Sequence, residues 1–132
     1  MNAFVIEGEN KQGELARIAE AIAAQGINIQ SVSLGTCGDR GTVALITNDE
    51  SATRSALNGG GFTFREIEVV PAALADKPGS LASASRRLAD AGVNIEAVIP
   101  TGMSADRVVV GFLTDKPDKA RNALAEFGTV HA

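Results

Sequence analysis

The chain has 132 residues, a formal net charge of −4, 45% apolar residues and 21% charged residues, a balance that excludes intrinsic disorder. Five Phe residues with no Trp or Tyr, and no excess of basic residues, exclude the stacking platform and positive surface of nucleic-acid binders. No run approaches the roughly 20 apolar residues of a membrane span, and the single Cys37 excludes an internal disulfide. We therefore expect a cytoplasmic globular protein that binds neither nucleic acid nor membranes.

The chain contains two copies of one sequence unit. The match is carried by two pairs of segments, each pair 66 residues apart: Asn10–Ala16 with Asp76–Ala82, and Gly26–Ile29 with Gly92–Ile95. Similarity at a fixed spacing is typical of a structural repeat. We predict two domains, residues 1–66 and 67–132, rigidly joined near Ile67, within a strand-like run from Phe62 to Leu74 that contains no flexible linker.

In chain order, the first copy reads as strand, helix, two strands, helix and strand. The spacing of Leu15, Ile18 and Ile22 is that of an amphipathic helix, which Gly26 is placed to end. A change of phase near Gln30 predicts a bulge in the second strand. The predicted elements are a strand at Phe4–Ile6, a helix over Leu15–Ile22, a strand at Ile27–Leu34, a turn at Cys37–Gly41, a strand at Thr42–Thr47, a helix at Ser51–Leu57 and a strand at Phe62–Glu66.

The second copy repeats this order. Pro78 suits the first turn of its first helix, where a missing N–H is no loss. Its predicted elements are strands near Val69–Leu74, Val93–Ile99 and Val108–Leu113, a helix carrying Leu81, Ala84 and Leu88, and a second helix from about Pro117. Two interleaved right-handed βαβ crossovers give an α+β fold of the ferredoxin-like βαββαβ type, with an antiparallel sheet and both helices on one face.

Residue types exclude three functions that this fold often carries. An RNA-recognition domain would need aromatic residues on its central strands, where Val43 and Val109 stand. A metal carrier would need paired thiols, and only Cys37 is present. An acylphosphatase-like site would need an arginine in the first loop, Gly8–Gly13, which has none. The only histidine, His131, is penultimate, so no catalytic set can be assembled. We expect no enzyme activity, no metal and no cofactor.

A short motif recurs at each longer helix: Asp/Asn-Lys-Pro/Gln-Gly-x-Leu before it and Gly-Ile/Val-Asn-Ile after it. This motif resembles the ACT family, and the resemblance covers nearly the whole chain twice. Members of that family bind amino acids or other small molecules at interfaces between paired modules, and they regulate biosynthetic enzymes such as phosphoglycerate dehydrogenase or aspartate kinase. The resemblance implies a non-catalytic regulatory homodimer that binds an amino acid and acts in trans on a partner enzyme.

The candidate binding residues lie in these two motifs. Backbone N–H groups at a helix N-terminus lack intrahelical partners and favour a carboxylate, and Gly13 and Gly79 would let a ligand approach them closely. Asn10 and Asn28 match the two asparagines that contact the ligand in serine-sensing relatives. The candidates are Asn10, Gln12, Gly13, Glu14, Leu15, Asn28 and Ile29 in the first copy, and Asp76, Pro78, Gly79, Ser80, Leu81, Asn94 and Ile95 in the second.

Four residues, at three positions of the repeated unit, depart from the pattern of the serine sensors. Gln12 replaces a proline, Asp76 replaces an asparagine, and Gly8 and Leu74 stand where those proteins have a histidine. We therefore do not expect specificity for serine. Because the two loops are unequal, it also stays open whether both copies bind a ligand or only one does.

Purely structural roles for the same residues also stay open. Gly13 and Gly79 suit a tight turn whether or not a ligand binds, Asn28 and Asn94 suit a local cap, and Asp76 suits the N-cap of its helix. A ligand-free module for dimerisation or for contact with a partner enzyme is the alternative function.

Overall fold

The computed structural model describes residues 1–127, which form two compact units. The N-terminal unit is Asn2–Ile67, and the C-terminal unit begins at Glu68 and includes Met1. The order of elements confirms the predicted α+β, ferredoxin-like fold class. Among the described residues, no helix has the length and apolar character needed to cross a bilayer.

The helices and strands alternate as the repeat predicts. In the first copy they are β1 (Asn2–Glu9), α1 (Glu14–Ala23), β2 (Ile29–Cys37), β3 (Arg40–Thr47) and α2 (Glu50–Gly59), and β4 (Thr63–Ala75) runs from the first copy into the second. In the second copy they are α3 (Ser80–Asp90), β5 (Ile95–Ser104), β6 (Arg107–Thr114), α4 (Pro117–Ala123) and a 3₁₀ turn (Ala125–Phe127). The last strand expected for the second copy, and His131, lie outside the described residues.

In the N-terminal unit, β3 lies between β2 and β1, and β4 borders β1. The strands β1 and β3 are antiparallel, and their cross-strand pairs Ile6↔Val43 and Gly8↔Gly41 follow one another on the same face. A register shift between Ile29 and Ser31 confirms the predicted bulge in β2. Because β2 pairs only with β3, its outer edge is unpaired within this unit.

Each unit has its own apolar core, built from one sheet face and two helices. In the N-terminal unit the buried core residues are Phe4, Ile6, Ile18, Ile22, Ile27, Val43, Leu45 and Leu57. In the C-terminal unit they are Val70, Ala72, Leu74, Ala84, Leu88, Val93, Val110, Phe112, Ala120 and Leu124. Burial of each large aliphatic side chain stabilises the fold by about 1.5–3 kcal/mol. The aliphatic residues of the sequence pattern therefore stabilise both units.

The strand-like run predicted from Phe62 to Leu74 is one strand of 13 residues, β4, because no turn residue interrupts it. Two other local predictions from the sequence need correction. Pro78 lies before the helix and not in its first turn, since Gly79 has a left-handed φ of 90° and α3 begins only after it. For the same reason Asp76 does not cap α3, whose N-cap residue is Gly79, without a side-chain hydrogen bond.

The two units differ in a buried hydroxyl at the end of their central strand. In the N-terminal unit, the Thr47 hydroxyl lies 2.7 Å from that of Thr53, which in turn donates to the Asp49 carbonyl at 2.7 Å. The repeat places Thr114 and Ala120 at the matching positions of the C-terminal unit. The Thr114 hydroxyl is buried and has no hydrogen-bond partner within residues 1–127. The hydrogen-bond network of the N-terminal unit is therefore absent at the matching positions of the C-terminal unit, where only one of the two hydroxyls is present.

Substitution of these two threonines by valine is expected to change stability in opposite directions. Thr114→Val removes an unsatisfied buried hydroxyl and should stabilise the protein by about 1 kcal/mol, whereas Thr47→Val removes the hydrogen bond between the two hydroxyls, leaves Thr53 only its bond to the Asp49 carbonyl, and should cost about 0.5–1.5 kcal/mol. Urea titrations followed by circular dichroism measure both changes as shifts of the midpoint at constant slope. Equal effects of the two substitutions would contradict this account.

Candidate functional site

The N-terminal unit contains a cavity of about 270 Å³ beside the start of α1. Its apolar floor is formed by the buried residues Ile6, Ile18 and Val43. Leu15 from α1 and Leu34 from β2 also line it, and these two side chains are 41% and 49% exposed. The cavity thus joins a buried apolar floor to an apolar rim that is open to solvent.

The N-terminus of α1 borders this cavity and lacks a side-chain cap. Gly13, at the N-cap, has a left-handed φ of 82° and no side chain to offer as an acceptor. The Glu14 N–H donates to the Lys11 carbonyl over 3.4 Å, and the N–H groups of Leu15 and Ala16 have no partner among the described residues. Two amide donors at the positive end of the helix dipole therefore remain available.

The loop before α1 is fixed to the hairpin between β2 and β3. The Asn10 main-chain N–H donates to the Asp39 carbonyl at 2.9 Å, and its side-chain Nδ2 donates to the Gly38 carbonyl at 2.9 Å. In the C-terminal unit the main-chain bond recurs between Asp76 and Asp106 at 2.8 Å. An ionised Asp76 has no N–H in its side chain and cannot donate a bond like the one from Asn10 Nδ2. Asn10 thus has a structural role in addition to its place in the cavity wall.

Glu14 brings a charge into the cavity wall. Its side chain is only 11% exposed and forms ion pairs with Arg17 and, at 3.9 Å, with Lys11. The Arg17 guanidinium also lies 4.3 Å from the centre of the Phe62 ring, which holds it on the side of α1. A carboxylate has about four acceptor sites, so Glu14 retains acceptor capacity for a bound cation.

The structure places only some of the predicted residues of the N-terminal unit at the cavity. Asn10, Gly13, Glu14 and Leu15 line it, whereas Gln12, Asn28 and Ile29 do not. Asn28 precedes Leu34 by six residues, which correspond to about 20 Å of extended strand.

The main chain of Asn28 is engaged at the far end of the unit. Its N–H donates to Asn48 Oδ1 at 3.0 Å, and its carbonyl accepts from the Asn48 N–H at 3.2 Å. The local cap considered for Asn28 thus comes from the side chain of Asn48, while the Asn28 side chain is exposed.

The predicted residues of the C-terminal unit fall into two separate groups. Asp76, Pro78 and Gly79 form the loop before α3, and Ser80 and Leu81 are the first residues of that helix, which also lacks a side-chain cap. The second group, Asn94 and Ile95, lies at the start of β5, where the Asn94 N–H donates to Asp115 Oδ1 at 2.9 Å. The arrangement of the first unit is thus repeated, with Asp115 in the place of Asn48.

Sequence analysis missed several residues of the cavity wall. They come from three strands, the first loop and α1: Ile6, Gly8, Glu9, Lys11, Ala16, Ile18, Leu34, Thr36, Gly41, Thr42 and Val43. The one indication of this wall in the sequence was Gly8, which stands where the second copy has Leu74 and where the serine sensors have a histidine. It could not be interpreted without the strand register that sets Gly8 opposite Gly41.

Comparisons with solved structures identify proteins of similar architecture. Protein BT0572 from Bacteroides thetaiotaomicron is 26% identical, with a TM-score of 0.76 over 95% of this chain and 86% of that one. The ligand-free regulatory subunit of aspartate kinase from Thermus thermophilus is 21% identical, with a TM-score of 0.62 over 97% and 92%. The aspartate kinase of Clostridium acetobutylicum is 17% identical, with a TM-score of 0.61 over 95% of this chain and 32% of that one.

The similarity to the two aspartate kinase structures shows a shared fold. No curated protein matches the sequence significantly. A family model described as an ACT domain pair matches residues 1–128, which is nearly the whole chain and includes both copies of the repeat. This match confirms the resemblance found from the two loop motifs. The chain is therefore a member of the ACT domain pair family.

Proposed function

We propose that this protein is a non-catalytic regulatory protein that binds a small amino acid at the loop between β1 and α1. The observation that carries the proposal is the 270 Å³ cavity of the N-terminal unit, which combines an apolar floor with unpaired amides at a helix N-terminus. Cavities of this composition, mostly apolar with a few converging polar groups, are typical of small-molecule sites. Family membership supports the same role.

A bound amino acid would meet complementary groups at both of its charged ends. Its carboxylate would accept from the N–H groups of Leu15 and Ala16, where the helix dipole favours negative charge. Its ammonium would donate to the Glu14 carboxylate, which is largely shielded from water. The side chain would then lie over Ile6 and Val43.

A second chain would complete this site. The rim residues Leu15 and Leu34 and the neighbouring Val32 are half exposed, and β2 has an unpaired edge in its unit. Exposed apolar residues along an open edge are typical of an interaction surface. Asn28 lies too far along β2 to reach the cavity of its own unit, so its predicted contact with ligand requires another copy. We therefore propose a homodimer with ligand at the interface.

The regulated target is proposed to be an enzyme of amino-acid metabolism. Two of the similar structures are a regulatory subunit of aspartate kinase and an aspartate kinase. This chain covers 92% of the first and 32% of the second. The action is proposed to be in trans, through ligand-dependent contact with a catalytic partner.

Isothermal titration calorimetry against the twenty common amino acids tests the proposed function. We expect saturable binding of at least one of them, and a loss of that binding in Leu15→Pro, where proline removes one amide donor near the first turn of α1. A matched control is Leu81→Pro, which makes the same change in α3. The absence of any binding at millimolar ligand would contradict the proposal.

The exposed apolar residues also support a second candidate function. Leu15, Val32 and Leu34 would equally suit a ligand-free module that dimerises or contacts a partner enzyme. This alternative predicts an oligomer that forms without any amino acid and does not change when amino acids are added. Sedimentation velocity with and without each of the twenty common amino acids separates the two functions.

A further inference from the structure

The two units differ in the strand that has an unpaired edge, which is β2 in the N-terminal unit and β5 in the C-terminal unit. β2 contains no charged residue and no proline, and its register with β3 is regular from Ser31 to Cys37. β5 contains Glu96 and Pro100, and its register with β6 shifts twice, the second time just after Pro100. Charges, prolines and bulges prevent an edge strand from pairing with another chain. From Ser31 to Cys37, the edge of β2 lacks all three.

The exposed apolar residues of β2 share one face of the sheet. Val32 is paired with Leu45 and Leu34 with Val43, so all four lie on the face against which α1 and α2 pack. The two residues of β3 are buried, whereas Val32 and Leu34 are 48% and 49% exposed. Their position on the outermost strand leaves them without a neighbour on one side. A further strand added to this edge would cover both.

We propose that β2 of a second copy of this chain is that further strand, and that the two strands pair antiparallel about a twofold axis through Ser33. This inference rests on the homodimer of the proposed function and specifies how the two chains meet. The sheets of the two N-terminal units would then form one continuous sheet.

The alternation of side chains along a strand determines the position of the axis. A twofold axis perpendicular to the sheet sets residues of the same face opposite each other, so it passes through a residue and not between two. With the axis at Ser33, Val32 of each copy lies opposite Leu34 of the other. An axis at Val32 would set Leu34 opposite Gln30, and an axis at Leu34 would set Val32 opposite Thr36. Only the axis at Ser33 pairs both apolar residues with apolar residues across the interface.

The charge of β2 and the form of the other edge favour a second copy as the occupant. Because β2 is uncharged, its pairing with itself brings no like charges opposite each other. A contact between identical strands about a twofold axis is closed, since each copy uses its own β2 edge. The protected edge of β5 does not extend it. Strand addition therefore ends with two copies.

The test is disulfide cross-linking of the full chain in a Cys37→Ser background, with one new cysteine at a time. Ser33→Cys places two thiols opposite each other, where Cα atoms of antiparallel strands are about 4.5–5.5 Å apart, a distance that a disulfide spans. Ser31→Cys is the matched control on the same face, because its two copies would be four residues apart along the strand, about 13 Å. We expect Ser33→Cys to form a covalent dimer at least tenfold faster. Met103→Cys, on the edge of β5, measures the rate of collisional cross-linking.

Charge substitutions at the same position give a second measurement without thiols. Ser33→Lys sets two like charges opposite each other and should raise the dissociation constant of the dimer at least tenfold in sedimentation velocity. Ser31→Lys lies opposite Gly35 in the proposed register and should change it less than threefold. An equal mixture of Ser33→Lys and Ser33→Glu should dimerise again, because opposite charges then meet on the axis. Circular dichroism shows whether each variant is folded.

The outcomes separate this inference from the proposed function. A wild-type dimer in which Ser33→Cys cross-links no faster than Ser31→Cys, or in which the lysine and glutamate variants do not restore one another, would overturn the strand pairing and leave the homodimer standing. A wild-type chain that stays monomeric with and without amino acids would overturn the pairing and the homodimer together. Binding of an amino acid, which calorimetry measures independently, would be unaffected by the first of these results.

Discussion

Replacement of Glu14 by glutamine is expected to weaken the binding of the proposed amino acid by roughly 10- to 150-fold, because a hydrogen bond to a charged group contributes about 1.5–3 kcal/mol. The Glu14 carboxylate is shielded from water on the wall of the cavity, so its interaction with an ammonium group is screened less than that of an exposed pair. Glutamine keeps the size of the side chain and removes only the charge. Isothermal titration calorimetry measures the change.

A ligand that lacks the ammonium group makes this prediction specific. If L-leucine is the ligand, 4-methylpentanoic acid has the same carbon skeleton without the amine and should bind to the wild type more weakly than leucine. In Glu14→Gln the difference between the two compounds should largely disappear, as in a double-mutant cycle. Glu20→Gln changes an exposed glutamate on the same helix and serves as the control. A difference that persists in Glu14→Gln would show that the ammonium group binds elsewhere.

The fold could be predicted from the sequence because its signals are local and are present twice. The helical spacing of Leu15, Ile18 and Ile22 and the left-handed Gly26 depend on neighbouring residues alone, and both are confirmed. The bulge of β2 was also readable, since a single change of phase within an alternating strand is typical of one inserted residue. The continuity of β4 was readable as well, because no turn residue interrupts the strand-like run from Phe62 to Leu74.

The candidate site could be predicted only in part, for a related reason. Gly13 and Glu14 adjoin the helix N-terminus in sequence, so the motif places them together, and they do line the cavity. The glycine pair Gly8↔Gly41 joins residues 33 positions apart, and only the antiparallel register of β1 and β3 brings them face to face. Asn28 was grouped with the loop by family resemblance, but the length of β2 separates it from the cavity within one unit.

This separation leads to the last prediction, which concerns the homodimer. Val32 is 48% exposed on the edge strand β2 and does not line the cavity, so a change there tests the interface without altering the cavity wall. Val32→Asp is expected to weaken dimerisation by one to two powers of ten. Burial of the exposed half of one valine contributes about 0.7–1.5 kcal/mol, and a twofold interface contains the residue twice, which gives about 1.5–3 kcal/mol in total. Analytical ultracentrifugation over a range of concentrations measures the dissociation constant.

The control is Met103→Asp, the same kind of change at a side chain that is 74% exposed on β5 of the other unit. If the ligand is held between two chains, Val32→Asp should weaken amino-acid binding together with dimerisation, and added ligand should partly restore the dimer, because a ligand that binds only the dimer stabilises it by mass action. Met103→Asp should change neither quantity. A dimer that dissociates in Met103→Asp but not in Val32→Asp would place the interface on the C-terminal unit, and the cavity beside α1 would then have to be complete within a single chain.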